Sequence, residues 1–215
     1  GAMGMHSMTR GLLNLGHKVK VLSFHSKKHP CKIENLPQEY KDETDFETVF
    51  VDLDIKPLPA LTAWLTGESY HVKRFINQQM KNKLAEILKK EEFDIVQMES
   101  IFLTPYVPLV RKLSKAKVVL RSPNVENMIW KRTYKATKNP LKRYYLKHLA
   151  LTLEYYEKEN INQYDAIFPV TDVDANYFIE NGYRKLCKAV AVGIETPEFI
   201  PDVLEEENSI FHIGS

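Results

Sequence analysis

Short apolar runs alternate with amphipathic stretches along nearly the whole chain, and this alternation constrains the fold more than any other feature. Residues 19–24, 46–53, 94–98, 117–121, 165–170 and 188–192 read as strands. Between them, residues 69–91 carry Val72, Phe75, Ile76, Met80, Leu84, Ile87 and Leu88 at three-and-four spacing, with Lys89 and Lys90 in the last turn. That spacing predicts one amphipathic helix. Met8, Leu12, Leu13 and Leu15 predict a first helix, with Gly16 as its stop. Further helices are predicted over residues 105–113, over 140–162 with Pro140 in the first turn, and over 172–181, closed by Gly182. Residues 54–68, with Pro57, Pro59 and Gly67, read as a loop holding a short helix around Trp64. Strand–helix alternation of this kind implies an α/β fold, a Rossmann-like three-layer arrangement with a parallel sheet covered on both faces.

Composition narrows the class. In 215 residues, 44% are hydrophobic and 27% charged, enough for a packed core. The formal net charge of +2 excludes a polycation. Two cysteines, Cys31 and Cys187, form neither a disulfide framework nor paired zinc knuckles, and they suit a reducing, cytoplasmic compartment. No apolar run approaches the roughly 18 to 20 residues of a membrane span. The eight glycines contain no G-x-G-x-x-G spacing.

Both ends read as cut. Residues 1–4 resemble a protease-cleavage remnant. The expected organisation is then a domain over 5–200, an acidic, Pro-led linker over 201–208, and over 209–215 the first strand of a second domain. No strand precedes the first helix, so residues 210–213 are expected to fill a vacated central place in the sheet, within the chain or swapped into a second copy as a homodimer.

Parallel sheets bind ligands outside the carboxyl ends of their strands. By spacing, Glu99, Arg121, Asn124, Glu126, Thr171 and Asp172 fall there. Carboxylates, a guanidinium and an amide on one rim suit a hydroxyl-rich ligand, because a carboxylate accepts a hydroxyl's hydrogen bond or its proton. The alternative is local loop bonding and a helix cap at Asp172. Two motifs are decoys. Gly11 to Lys18 misses a phosphate loop, with its lysine one place late and no Ser/Thr. His25, His29 and Cys31 sit in a lysine-bearing loop with no carboxylate second shell, so no metal site is assigned.

Residues 128–150 hold Lys131, Arg132, Lys135, Lys138, Lys142, Arg143 and Lys147 with no Asp or Glu, interleaved with Trp130, Tyr134, Tyr144 and Tyr145. Basic plus aromatic fits an anionic membrane surface, here peripheral contact at the inner face of the plasma membrane. An ordinary helix with core aromatics and solvated lysines fits equally well. Nucleic acid fits poorly with a near-neutral chain.

Residues 121–130, Arg-Ser-Pro-Asn-Val-Glu-Asn-Met-Ile-Trp, resemble the R-x-H-N-x-E-x-x-I-W segment of retaining GT-B glycosyltransferases, the bacterial "group 1" or family 4 type. Other parts agree in order: Gly16-His17-Lys18-Val19 with "GH-x-V", residues 94–99 with the "D-x-V-x-x-E" strand, residues 165–174 with a strand and acidic turn, and residues 192–195 with "N-G-V-D". The resemblance spans residues 8–215. It implies the N-terminal, acceptor-binding half of a two-domain hexosyltransferase of polysaccharide biosynthesis, with its first strand missing. The acceptor would be a saccharide or a lipid-linked saccharide. The nucleotide-sugar donor would belong to a C-terminal domain with an E-x7-E site, so this chain alone holds no cofactor and transfers nothing. The motif histidine is Pro123 here, no catalytic residue is assigned, and the alternative reading is a non-catalytic membrane-surface or scaffold module with a Rossmann-like fold.

Overall fold

The computed structural model describes residues 2–31 and 33–193. The fold is α/β with parallel strands throughout. Helix α1 (Ala2–Asn14) leads through Gly16, at φ 83°, to strand β1 (Leu22–His25). Then come α2 (Gln38–Thr44), β2 (Glu47–Phe50), α3 (Pro57–Thr66), α4 (Tyr70–Lys73) and α5 (Gln78–Lys90). Strand β3 (Ile95–Met98) precedes a 3₁₀ segment (Ile101–Tyr106) and α6 (Val107–Leu113), and β4 (Lys117–Ser122) precedes α7 (Glu126–Ala136) and α8 (Pro140–Asn160). Strand β5 (Ala166–Pro169), α9 (Asp172–Glu180) and β6 (Leu186–Cys187) complete the described chain.

The expected single sheet is divided in two. β1 pairs with β2, and β3, β4, β5 and β6 pair in that order. β1 and β3 share no ladder, yet Leu22, Phe24, Val96 and Met98 belong to one apolar cluster. The burial contrast follows: β4 hides Val118 to Ser122, whereas no residue of β1 is fully buried. Residues 210–213, expected to join the sheet, lie outside the described residues, as do the expected linker and second-domain strand. Helix α1 takes in residues 2–4, which the sequence alone marks as a remnant.

Three expectations need correction. The single helix over 69–91 is two helices separated by residues 74–77. An Arg74 guanidinium nitrogen donates to the Leu53 carbonyl, and the Tyr106 hydroxyl donates to the Phe75 carbonyl and accepts from the Asn77 amide at 2.9 Å. Asn77 then restarts the helix as its N-cap, accepting from the Met80 amide at 3.1 Å while its Nδ2 donates to the Phe50 carbonyl. Asn77→Ala is expected to cost about 1 kcal/mol in denaturant unfolding. Residues 57–66 form a full helix, because Pro57 and Pro59 fall in a first turn, where no amide partner is required. The last strand is residues 186–187 rather than 188–192, although the Lys188 and Val190 amides still donate to β5 carbonyls.

Candidate functional site

Parallel register brings the carboxyl ends of β3, β4 and β5 level: Met98 pairs with Leu120, Arg121 with Phe168, and Ser122 with Pro169. Glu99 is the first residue past β3, so it meets Arg121 near the end of β4. Their ion pair is 2.7 Å, Arg121 Nη1 to Glu99 Oε2. Arg121 is 2% exposed, and its Nε has no hydrogen-bond partner among the described residues. Gln97 donates to the other Glu99 oxygen at 2.6 Å and so fixes the carboxylate plane. The first turn of α1 comes close to Arg121. A Cβ built on Gly4 would stand 3.3 Å from an Arg121 guanidinium nitrogen and 3.5 Å from Val192, so glycine permits the approach. Arg121 is too buried to reach a ligand itself; it positions the Glu99 carboxylate, whose side chain is 23% exposed and can accept from a hydroxyl-bearing group.

The other predicted rim residues lie at the same strand ends but do not bond to the pair. Asn124 is exposed, and its carbonyl accepts from Ser122 Oγ at 2.7 Å. Thr171 is the N-cap of α9, accepting from the Asp174 amide, and Asp172 is exposed in the first turn. Asp172 is thus not itself the cap. Glu126 is half-buried at the start of α7, and burial raises its carboxyl above the usual range.

Behind Glu126 lies a buried cluster that the sequence did not reveal. The Asn127 amide donates to Glu157 Oε1 at 3.2 Å, and Asn127 Nδ2 donates to Glu157 Oε2 and to the Tyr177 hydroxyl, the latter at 2.7 Å. Asn127 Oδ1 has no partner among the described residues. Burial pushes the Glu157 carboxyl up to about 7, partly countered by its Asn127 bonds. Three separate helices supply the three residues, so no local spacing marks them. Gln97, by contrast, was visible two places before Glu99 on a predicted strand.

The basic segment divides. Arg132, Lys135, Lys138, Lys142, Arg143 and Lys147 are exposed and make no ion pair among the described residues. Lys131 pairs with Glu154 at 2.8 Å. Trp130 turns inward onto His71, with ring centroids 4.0 Å apart, and packs with Tyr134 and Tyr145 around Ala63, Tyr70, Leu146 and Leu149. Buried His71 has its imidazole lowered to about 4, through desolvation first and then the Arg74 charge. Among the described residues, no three His, Cys, Asp or Glu side chains group as a metal would require, and no helix is long and apolar enough to cross a membrane. No protein-family model, curated protein or solved structure matches the chain.

Proposed function

We propose that this chain is the acceptor-binding domain of a retaining GT-B glycosyltransferase, which moves a sugar from a nucleotide-sugar to a saccharide or lipid-linked acceptor. The observation that carries the reading is the Arg121–Glu99 pair. Both residues occupy positions of the resembling motifs, both stand at carboxyl ends of adjacent parallel strands, and buried Arg121 holds the partly exposed Glu99 carboxylate in place. Asn124, Thr171 and Asp172 add exposed hydrogen-bonding groups to the same ends of the strands. In the full enzyme a second domain supplies the donor site. Rate comes from orienting the acceptor hydroxyl against the donor and from stabilising the leaving diphosphate.

The test has two arms. Saturation-transfer NMR with neutral and uronic-acid oligosaccharides should give weak contacts that Glu99→Gln diminishes. Incubation of the purified chain with UDP- or GDP-sugars should release no nucleotide. Release of nucleotide would overturn the half-enzyme reading, and absence of any saccharide contact would overturn the acceptor site.

A further inference from the structure

Helix α3 is unlike the other helices of this fold. From Pro57 to Thr66 it contains no charged residue. Ala60 and Ala63 face inward, against the cluster of Tyr70, Leu146 and Leu149. Leu58, Leu61 and Leu65, spaced three and four apart, form the opposite stripe and are 76%, 49% and 71% exposed. Trp64 stands at the margin, edge-on to His148 at 6.2 Å. A surface helix normally turns its apolar stripe inward. Here the small residues face in and the leucines face out.

At the margin of this stripe, Leu61 and Trp64 border the second and third turns of α8, in the α7–α8 hairpin. Tyr145 and His148 of α8 touch α3, and an open groove of about 280 Å³ runs between Pro57, Leu61, Trp64 and Tyr145. The two helices of the hairpin run antiparallel, since Asn127 meets Glu157 and Lys131 meets Glu154. Residues 137–139 are therefore its turn. Around the turn, Lys135, Lys138, Lys142, Arg143 and Lys147 are all exposed, and Leu141 and Tyr144 stand among them, exposed by 82% and 66%. The nearby acids are already engaged: Glu68 pairs with Lys73, and Glu154 with Lys131 and Lys158.

We propose that α3 and the tip of the α7–α8 hairpin together form a docking surface for a bilayer rich in anionic phospholipid. The leucine stripe and Trp64 enter the boundary between headgroups and acyl chains, and the hairpin cations meet the phosphates. Charge complementarity selects this occupant. An uncharged apolar stripe beside cations that have no ion pair among the described residues matches a surface that is apolar at depth and anionic at its face. A second copy of the chain would set the same cations against one another. Membrane docking by this surface does not depend on the acceptor-binding role of the strand ends.

The test is co-sedimentation of the full chain with phosphatidylcholine vesicles and with vesicles of phosphatidylcholine mixed with phosphatidylglycerol. Binding is expected only to the mixed vesicles, with a blue shift of tryptophan emission that Trp64→Phe removes. Lys142→Glu/Arg143→Glu should weaken binding at least about tenfold, since each cation near the surface contributes about 1 kcal/mol. Leu58→Ser/Leu65→Ser should weaken it by a similar factor. All four side chains are exposed, so the circular dichroism of the variants should match that of the parent. Equal binding to neutral vesicles, no binding, or full binding by the leucine variant would overturn the proposal. So would a concentration-dependent dimer that the leucine substitutions abolish, which would make this surface a self-association site.

Discussion

A Glu157→Gln variant is expected to gain stability steadily as pH rises from about 4.5 to about 7, by about 3 kcal/mol in urea unfolding, where the parent protein changes little. Two buried groups titrate in opposite senses over that interval. Glu157 has its folded carboxyl pushed up to about 7 from an ordinary 4.5. The folded state therefore binds the proton more tightly than the unfolded chain does. The stability this contributes is present below pH 4.5 and is lost as pH rises toward 7. His71 has its folded imidazole lowered to about 4 from an ordinary 6.5. There the unfolded chain binds the proton more tightly, so stability is present above pH 6.5 and is lost as pH falls toward 4. At about 1.4 kcal/mol per pH unit, each displacement is worth roughly 3 kcal/mol. The two slopes offset each other in the parent.

Removing either group exposes the other. Glu157→Gln leaves the rising slope of His71, and His71→Phe leaves the falling slope of Glu157, to which the raised carboxyl of Glu126 adds. The double variant keeps only Glu126, whose raised carboxyl gives a falling slope, and His148, whose imidazole burial lowers and which gives a rising one, so these two oppose each other and the net slope should be small. The paired carboxylates with lowered values, among them Glu47 and Asp165, lose their contribution only as pH falls below the ordinary carboxylate range, outside this window. The Glu157→Gln change should also be tolerated structurally. The carboxamide oxygen it introduces can keep the bond from the Asn127 backbone amide, and a half-turn of the Asn127 carboxamide would set Oδ1, which has no partner among the described residues, against the new nitrogen and the Tyr177 hydroxyl as an acceptor for both. Parallel pH profiles for the parent and both single variants would refute this account.

How far the sequence carried the structure depends on where each element's constraints come from. Strands β4 and β5 were legible because a buried parallel strand must be a continuous apolar run, as Val118-Val119-Leu120 is. The break at residues 74–77 was not legible, because it is set by the Tyr106 hydroxyl and the Leu53 carbonyl, groups distant in sequence that carry no periodic signal. Pro57 and Pro59 read as helix breakers yet lie in the first turn of α3, so the punctuation was right and the side of the boundary wrong. At the rim, Glu99 and Arg121 could be placed because strand ends in a parallel sheet are aligned by topology. The Asn127–Glu157–Tyr177 cluster could not. Asn127 stands 30 positions from Glu157 and 50 from Tyr177, on three helices, and Glu157 in sequence looks like any solvated helical glutamate. The basic segment left its alternatives open for a related reason. Its lysines do face solvent and most of its aromatics do pack inward, so both readings hold for different side chains of one hairpin.

Glu99→Ala is expected to destabilise the protein by about 3 kcal/mol, while Glu99→Ala/Arg121→Met restores most of that loss. Arg121 is one of the largest fully buried side chains, and among the described residues its one charged partner is Glu99. Taking away the carboxylate strands a guanidinium that is 2% exposed and that the first turn of α1 approaches at Gly4. The desolvation cost of that unpaired charge, rather than the intrinsic worth of the ion pair, sets the size of the effect. Replacing both partners removes the charge along with its partner, and methionine fills much of the arginine's volume with apolar atoms. A purely structural pair would leave nothing further to observe. If the pair also holds the acceptor, the double variant should be folded and near parental stability yet silent in saturation-transfer experiments with every saccharide that the parent contacts. A double variant as unstable as Glu99→Ala alone would show instead that the arginine's hydrogen-bonding geometry, and not its neutralised charge, holds the ends of β3 and β4 together.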